Sequence, residues 1–330
     1  MKRCLISGGG GFAGSHAVRH FLDNTEWDIV CPVSYDHRGS LARLESAMEG
    51  HDRSRVTLIN QDLAQPYSTA FIRMLGQPDY IINYASQSHV DRSITDPAPF
   101  ILNNVTLMVN LLEFARTLPG LSAFVQISTD EVYGPAPSGH NHAEWEAILP
   151  SNPYSGSKAA QEAIAISYWR TYSVPLILTN TMNLIGEMQD EEKYVSKVVA
   201  AVRSGEVVPV HANADGSVIG SRFYLHARNL ADAVLFLLRR GEISRYHGRQ
   251  TDRPDRWNIV GEREINNLEM AQWIAELSGK ELKYELVDYH TSRPGHDLRY
   301  SLDGTKLHNA GWRAPVGLEE GMKRILDWEQ

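Results

Sequence analysis

The 330-residue sequence has only two cysteines, Cys4 and Cys31, and both lie within short apolar segments. Two such residues provide no disulfide framework and no metal-site spacing, so we expect buried thiols in a reducing compartment and assign no metal ligand. No run of eighteen consecutive apolar residues occurs, and Met1 is followed almost directly by an apolar segment. We therefore predict a cytoplasmic protein with no membrane partner.

Positive charge is also scarce. The sequence has 32 lysines and arginines against 40 aspartates and glutamates, which gives a formal net charge of -8. Basic clusters such as Arg239-Arg240 are short, whereas binding to a nucleic-acid backbone requires many clustered cations. We therefore expect no nucleic-acid partner. A content of 42% hydrophobic and 22% charged residues is typical of a folded globular protein.

Short apolar segments rich in β-branched residues alternate with helical patterns from the N-terminus onward. This alternation is typical of βαβ units, in which helices cover a parallel sheet. We predict an α/β fold, namely a Rossmann-type doubly wound parallel sheet with a smaller, discontinuous C-terminal substrate lobe. The predicted strands are residues 4–6, 29–30, 56–59, 80–82, 124–127, 174–178 and 258–260.

We place a dinucleotide-binding domain at residues 1–183 together with about 221–260, including a helix over 227–240. The lobe that binds the substrate is predicted at about 184–220 and 261–330. Two long amphipathic segments, residues 100–117 and 154–172, allow two interpretations. They either simply cover the sheet or, if each has a second apolar face, form the helix-bundle interface of a homodimer.

Glycines are concentrated directly after the first predicted strand, in the segment Gly8-Gly9-Gly10-Gly11-Phe12-Ala13-Gly14. Glycines at this position allow a tight turn and let backbone N–H groups approach a pyrophosphate at the N-terminus of the following helix. Both a G-x-G-x-x-G and a G-x-x-G-x-x-G spacing fit the segment. Because the motif lies between the first strand and the first helix, it predicts a dinucleotide site rather than an ordinary turn.

The second predicted strand ends at Val33-Ser34 and lacks the carboxylate that commonly binds the adenosine ribose. Asp36 is close enough to replace it, whereas Arg38 could pair with a 2′-phosphate. Both NAD and NADP therefore stay open, with NAD favoured. Asp62, at the end of the third strand, either contacts the adenine edge or caps the following turn.

Thr129, Asp130 and Glu131 follow the fifth predicted strand directly. Open α/β sheets bind their ligands at this carboxyl edge. Two adjacent carboxylates on such a turn are ordinarily solvated charges, but they can act as an acid and a base if their environments separate the two pKa values.

Tyr154 and Lys158 lie four residues apart at the start of a predicted helix, and hence on one face. We expect the nearby ammonium to lower the pKa of the Tyr154 phenol, which would make the tyrosine a base.

With these motifs in this order, the sequence resembles the extended short-chain dehydrogenase/reductase family and, within it, the dTDP-glucose 4,6-dehydratases. The Asp130-Glu131 pair is the most specific element of the resemblance, because related 4-epimerases carry small or apolar residues there. The resemblance extends over nearly the whole chain, through the glycine loop and residues 88–93, 128–134, 152–154 and 293–300.

The resemblance implies removal of water from a nucleotide-bound hexose, with dTDP-glucose as the expected substrate. Tyr154, helped by Thr129 and Lys158, would accept the 4-hydroxyl proton while the C4 hydride passes to the nicotinamide. Glu131 would then remove the C5 proton while Asp130 protonates the leaving 6-hydroxyl, and the hydride would return to C6. The cofactor would therefore stay bound between turnovers.

The resemblance also implies two sets of binding residues. The cofactor residues are Gly8, Gly11, Phe12, Ala13, Gly14, Asp36, Arg38, Asp62, Leu63, Tyr84, Ala85, Ser86, Asn104, Tyr154 and Lys158. The residues for the nucleotide sugar are Ser88, His89, Thr129, Asn183, Lys193, Arg222, Asn229, Arg293 and His296, with His226 as a further candidate.

Several positions depart from the family pattern, among them Gln87, where a glutamate is frequent, and the segments 183–187 and 211–221. These departures concern the cofactor and the substrate lobe more than the chemistry. A 4-epimerase and a dehydratase of a UDP-, GDP- or CDP-hexose therefore stay as alternatives. A non-catalytic dinucleotide-binding protein is a third, although binding alone would need none of the catalytic cluster.

Overall fold

The computed structural model describes residues 1–35, 39–241, 243, 245–246, 252–289 and 297–328. Its centre is a sheet of seven parallel strands in the order β10-β6-β5-β4-β1-β2-β3. The predicted α/β fold with a doubly wound parallel sheet is therefore confirmed. The strands are β1 (Arg3–Ser7), β2 (Asp28–Val33), β3 (Val56–Asn60), β4 (Tyr80–Asn83), β5 (Ala123–Thr129), β6 (Leu176–Thr181) and β10 (Asp255–Ile259).

Helices cover both faces of this sheet, as the alternation of side chains along β1 illustrates. Cys4 and Ile6 face one apolar core, and Leu5 faces the other. The first core includes residues of α1 (Phe12–Asn24), α2 (Leu41–Met48) and α8 (Ala227–Arg240). The second includes residues of α3 (Thr69–Leu75), α5 (Pro97–Ala115) and α6 (Pro153–Tyr172), and the short helix α4 (Val90–Thr95) precedes α5.

Both cysteines are buried thiols, as predicted, and burial raises the pKa of Cys31 to about 12. Helix α5 is, among the described residues, the one helix long and apolar enough to cross a membrane. Its residues Leu107, Met108 and Leu111 pack into the core beneath the sheet, which accounts for much of this apolar character. Ile101 and Leu102, on the same helix, are exposed.

The smaller lobe contains two small sheets. One has the order β11-β9-β7, and the other pairs β12 with β8. Valines of α7 pack against apolar residues of α9 and α11 to form a separate core. The lobe elements are β7 (Asn183–Ile185), α7 (Tyr194–Ser204), β8 (Val207–Ala212), β9 (Ser221–His226), β11 (Glu264–Asn266), α9 (Asn267–Leu277), β12 (Lys283–Asp288), α10 (Thr305–Asn309) and α11 (Leu318–Trp328).

The predicted domain boundaries need two corrections. Strand β9 falls in the segment assigned to the dinucleotide domain, yet it pairs with β7 and β11 of the lobe. Conversely, Leu307 and Trp312 were assigned to the lobe, but they pack into the core on one face of the large sheet. The sequence alone could not show either assignment, because one depends on strand pairing and the other on packing between distant parts of the chain.

Candidate active site

A cavity of about 600 Å³ lies at the carboxyl ends of β1, β4, β5 and β6. Strand β1 is flanked by β4 on one side and β2 on the other, so the chain reverses its direction of winding here. Open α/β sheets bind ligands at this switch point. The lobe contributes residues to the same cavity, including Lys193, Arg222 and Tyr224.

The glycine loop joins β1 to α1 and lines the cavity. Gly8 has a φ of +69°, and a Cβ atom there would lie 2.8 Å from the backbone nitrogen of Ala85. A Cβ atom on Gly14 would lie 2.1 Å from the carbonyl oxygen of Gly8. These positions therefore require glycine.

Helix α1 begins after Gly11, which has no side chain with which to cap the first-turn N–H groups. Such N–H groups attract an anion, and the helix dipole adds to the attraction. The loop and the start of α1 thus fit the diphosphate of a dinucleotide.

Most of the predicted cofactor residues line this cavity. Asp62 also accepts a hydrogen bond from the backbone nitrogen of Ala64 at 2.9 Å, so its position agrees with both the cofactor and the turn-cap interpretation. Asp36 and Arg38 lie outside the described residues. The lining set comprises Gly8, Gly11, Phe12, Ala13, Gly14, Asp62, Leu63, Tyr84, Ala85, Ser86, Tyr154 and Lys158.

Asn104 needs a correction, because it is fully buried outside the lining of this cavity. Its amide accepts a hydrogen bond from the backbone nitrogen of Gln87 at 2.8 Å and donates to the carbonyl oxygen of the same residue at 3.0 Å. It also donates to the Ser157 hydroxyl at 2.8 Å. Asn104 therefore fixes the loop after β4 instead of facing a cofactor.

Asp130 lies in the 3₁₀ turn Asp130–Tyr133 that follows β5, and it is buried on the cavity wall. Its Oδ1 accepts hydrogen bonds from the Thr129 hydroxyl at 2.9 Å and from the Glu131 backbone nitrogen at 3.0 Å. Its Oδ2 is buried and has no hydrogen-bond partner among the described residues. Burial and the neighbouring charge of Glu131 raise the pKa of Asp130 to about 7, so the carboxyl keeps a proton in much of the population near neutral pH.

Glu131 differs from its neighbour because it is only partly buried. The Asn152 amide donates a hydrogen bond to Glu131 Oε2 at 3.1 Å. Both carboxyl groups line the cavity, as predicted. One of the pair is therefore suited to donate a proton and the other to accept one.

Tyr154 and Lys158 lie one turn apart on α6 and line the same cavity. Asn152 caps this helix by accepting a hydrogen bond from the Ser155 backbone nitrogen at 2.9 Å. The start of α6 is therefore fixed beside Thr129, whose side chain acts to lower the pKa of the Tyr154 phenol.

The expected lowering of the Tyr154 pKa is wrong for the protein alone. Burial raises this pKa, and the charges of Glu131 and Asp130 raise it further. The Lys158 ammonium instead donates to the carbonyl oxygen of Ile127 at 2.7 Å and to Gln161 Oε1 at 2.8 Å. Burial lowers the pKa of Lys158 to about 7, so much of its positive charge is lost near neutral pH.

Five of the predicted substrate residues besides Thr129 line the cavity, namely Ser88, His89, Asn183, Lys193 and Arg222. The Lys193 ammonium lies 3.5 Å from the carbonyl oxygen of Ser88, and His89 pairs with Glu192 at 3.2 Å. Asn183 is exposed at the cavity surface.

Arg222 also lines the cavity, and its guanidinium packs over the Tyr300 ring at 4.7 Å. It donates to the carbonyl oxygens of Asp297 and Leu298, each at 2.6 Å. These bonds hold the guanidinium in place at the edge of the lobe. Arg293 and His296, which were also predicted to bind the substrate, lie outside the described residues.

Two predicted substrate residues do not line the cavity and are better explained as structural. The Asn229 amide accepts from the Val316 backbone nitrogen at 2.9 Å and donates to the Val316 carbonyl oxygen at 2.7 Å. His226 accepts from the Arg228 backbone nitrogen at 3.2 Å and pairs with Glu187 at 2.9 Å. Both residues are buried, and these contacts use their polar atoms to join distant segments.

Several polar residues of the cavity were not among the predicted site residues. The hydroxyls of Ser128 and Thr181 are buried at the ends of β5 and β6, and neither has a hydrogen-bond partner among the described residues. Lys197 also lines the cavity. Its spacing of four residues from Lys193 could have identified it, because residues so spaced share a helix face.

The whole chain is similar to known nucleotide-sugar enzymes. A family model described as GDP-mannose 4,6 dehydratase matches residues 5–325. The dTDP-glucose 4,6-dehydratase of Shigella flexneri is 32% identical over 349 residues, which cover 99% of this chain and 92% of that protein.

Two further similarities extend the comparison. A trifunctional Arabidopsis thaliana protein whose name includes UDP-glucose 4,6-dehydratase is 31% identical; the match covers 99% of this chain and 47% of that protein. The crystal structure of dTDP-glucose 4,6-dehydratase from Bacillus anthracis in complex with NAD has a TM-score of 0.84 and 26% identity, covering 100% of this chain and 96% of that one.

Proposed function

The chain belongs to the GDP-mannose 4,6-dehydratase family, and on that premise we propose that it is a nucleotide-sugar 4,6-dehydratase of the extended short-chain dehydrogenase/reductase type. Nucleotide-sugar dehydratase or epimerase chemistry has the support of the relatives. One observation carries dehydration in particular. Buried Asp130 has a pKa raised to about 7 and an unpartnered oxygen, and it lies beside ionisable Glu131.

NAD is the proposed cofactor, and the Bacillus anthracis relative was solved with NAD. The glycine loop and the start of α1 would hold the diphosphate, while Asp62 and Leu63 lie where an adenosine would bind. When bound, the cofactor would supply a reversible hydride acceptor, and the positive charge of its oxidised ring would favour a tyrosinate. NADP stays as an alternative, because Asp36 and Arg38, the residues expected to distinguish NAD from NADP, lie outside the described residues.

Tyr154 has the role of accepting the proton of the sugar 4-hydroxyl. The neighbouring Thr129 side chain lowers the pKa of Tyr154, which partly offsets the effects of burial and of the two carboxylates. Lys158 is held by Ile127 and Gln161 below the same site. Oxidation at C4 produces a ketone, which makes the C5 proton acidic.

Glu131 and Asp130 then carry out the elimination. Glu131 takes the C5 proton, the electron pair forms the C5–C6 double bond, and the C6–O bond breaks. Asp130 gives its proton to the departing hydroxyl, which leaves as water. A bound cofactor would supply the hydride for C6, and with a proton returned to C5 the product would be the 4-keto-6-deoxy sugar.

The nucleotide is proposed to bind between the large sheet and the lobe, with Arg222, Lys193 and Asn183 around its diphosphate. An arginine suits this group because its planar guanidinium donates two parallel hydrogen bonds. The similarity to dTDP-glucose dehydratases favours dTDP-glucose as substrate. The UDP-glucose relative makes a UDP-hexose the first alternative.

A direct test is to incubate the purified protein separately with dTDP-, UDP-, GDP- and CDP-hexoses and to measure product masses. Loss of one water from one of these substrates is the expected result, and the substrate that reacts identifies the base. A product of unchanged mass but altered sugar stereochemistry would instead establish an epimerase. Bound cofactor without turnover of any of the four would support a non-catalytic binding protein.

A homodimer is proposed on the exposed apolar residues of the paired helices α5 and α6. Ile101 and Leu102 of α5 and Tyr172 of α6 are exposed, although they belong to long helices that pack against each other. Light scattering coupled to gel filtration should give twice the chain mass. Changing Leu102 to Lys should shift the protein toward the monomer.

A further inference from the structure

Three potential metal ligands converge outside the cavity, on the loop that joins the 3₁₀ turn Asp130–Tyr133 to α6. His140 Nε2 and His142 Nδ1 lie 2.9 Å and 2.8 Å from the same carboxylate oxygen, Glu146 Oε2. The three ligand atoms all lie within 4.8 Å of one another. The prediction of no metal ligand rested on the spacing of the two cysteines and did not consider these histidines.

The loop and its neighbours hold these three side chains in place. The second oxygen of Glu146 accepts a hydrogen bond from the Ala143 backbone nitrogen at 2.9 Å. The His142 ring stacks on Tyr133, with the ring centres 5.4 Å apart and an angle of 15° between the planes. Arg299 donates to the carbonyl oxygen of His140 at 2.6 Å. The ligand set is therefore fixed from both the loop and the segment that contains Arg299.

We propose that His140, His142 and Glu146 form a site for a zinc ion. Two imidazoles and one carboxylate are a donor set that Zn²⁺ accepts, with water in the fourth position. Zinc would take the place of the direct contacts that the two histidines now make with Glu146.

The geometry requires only a small adjustment. Ligand atoms about 2.1 Å from a tetrahedral ion lie roughly 3.4 Å from one another. Each histidine–carboxylate pair would therefore have to open by roughly half an ångström. His140 and Glu146 are partly exposed, which leaves room for this movement and for entry of the ion.

The position suggests what the ion would do. The loop connects Glu131 to Tyr154, and His142 also pairs through its backbone with Ser301 at 3.0 Å. A bound ion would fix the loop between two elements of the active site. These ligands do not line the cavity, so the ion would stabilise the fold without contacting the substrate.

Zinc and cobalt binding to the untagged full-length protein tests this site. Equilibrium dialysis with metal analysis measures stoichiometry and affinity, and the visible spectrum of bound Co²⁺ reports four-coordinate geometry. The variants are His140→Ala and Glu146→Gln, with His51→Ala as matched control. His51 pairs with Asp23 at 2.8 Å but belongs to no group of three metal ligands among the described residues.

One zinc ion per chain is expected for the unmodified protein and for the His51 variant, with a thermal midpoint that rises on adding zinc. Each of the other variants should bind at least tenfold more weakly, because even residues that only support a metal ligand change affinity by about 10- to 100-fold. Affinity should also fall in acid, since the imidazoles must be neutral to bind.

Two results would overturn the site. One is the absence of stoichiometric zinc binding to the unmodified protein. The other is a zinc affinity in the His140 and Glu146 variants equal to that of the unmodified protein. Far-ultraviolet circular dichroism identifies a variant that fails to fold. In that case His140→Asn, which keeps a polar side chain on the loop, replaces His140→Ala in the same comparison.

Discussion

The hydroxyl of Thr129 donates a 2.9 Å hydrogen bond to Asp130 Oδ1, while the other carboxyl oxygen of Asp130 is buried without a partner among the described residues. The hydrogen bonds from Thr129 and from the Glu131 backbone nitrogen stabilise the charged carboxylate too little to offset burial and the adjacent charge of Glu131. Asp130 is therefore suited to donate a proton, and the unpartnered oxygen is the proposed site of delivery.

Replacing Asp130 with Asn and Glu131 with Gln together should abolish dehydration but still allow slow reduction of the bound cofactor by substrate. Proton transfer by each group contributes about 10²- to 10⁴-fold to such a step, whereas oxidation at C4 depends on Tyr154. Product mass measures dehydration, and absorbance of the reduced cofactor measures oxidation. Unchanged turnover in the double variant would contradict both assigned roles.

The raised pKa of Asp130 should also make folding stability depend on pH. In the unfolded chain this carboxyl has a pKa of about 3.9, so between that value and about 7 the folded protein binds more protons. Asp130 therefore makes stability fall as the pH rises through this range.

Asp130→Asn should accordingly lose less stability than the unmodified protein between about pH 5 and about pH 8. Thermal midpoints at the two pH values measure the difference. Asp52→Asn is the control, because Asp52 is fully exposed and its pKa is lowered. Parallel losses in the Asp130 variant and the unmodified protein would show that the carboxyl is ionised in both states.

Gln161 is proposed as a positioning residue for Lys158, since it accepts one of the two hydrogen bonds of the ammonium. Gln161→Leu should lower the pKa of Lys158 further, and Gln161→Glu should raise it by placing a carboxylate beside it. The limb of the kcat–pH profile that reports the ionisation of Lys158 should move to lower pH in Gln161→Leu and to higher pH in Gln161→Glu. A residue that only supports the fold would change the thermal midpoint and leave the limb in place.

Gly14→Ala should weaken cofactor retention, because the new Cβ atom would lie 2.1 Å from the carbonyl oxygen of Gly8 and force the loop to shift. The amount of nicotinamide cofactor released on denaturing the purified protein gives the measurement. Gly120→Ala is the control, since a Cβ atom there has nothing within 4 Å. Full retention in the Gly14 variant would disprove the role of the loop.

Variants of Asn229 and Arg222 should distinguish a residue that stabilises the fold from a residue that binds the substrate. Asn229→Ala removes two buried hydrogen bonds to Val316 and should lower the free energy of unfolding by about 1–3 kcal/mol with an unchanged KM. Arg222→Ala should raise KM, because it removes a guanidinium from the cavity. Thermal unfolding and steady-state kinetics measure the two effects. A raised KM with normal stability in the Asn229 variant would restore it as a substrate ligand.

Local patterns in the sequence were sufficient to predict the central sheet, the glycine loop and the grouping of Thr129, Asp130 and Glu131 at a strand end. These features are local, because they depend on alternating apolar segments and on residues adjacent in the chain. The same local pattern places Tyr154 and Lys158 on one face of a helix. Parallel strands then bring their carboxyl ends to one edge, so the position of the site follows from the strand order.

The protonation states and the partners of the polar residues became clear only from the folded structure. The pKa of Asp130 depends on its burial, and the direction of the Lys158 ammonium depends on Ile127, which lies on another element. Asn229 proved structural because Val316, far along the chain, uses its amide. Burial and long-range hydrogen bonds arise only when distant segments pack together, and the order of residues does not specify them directly.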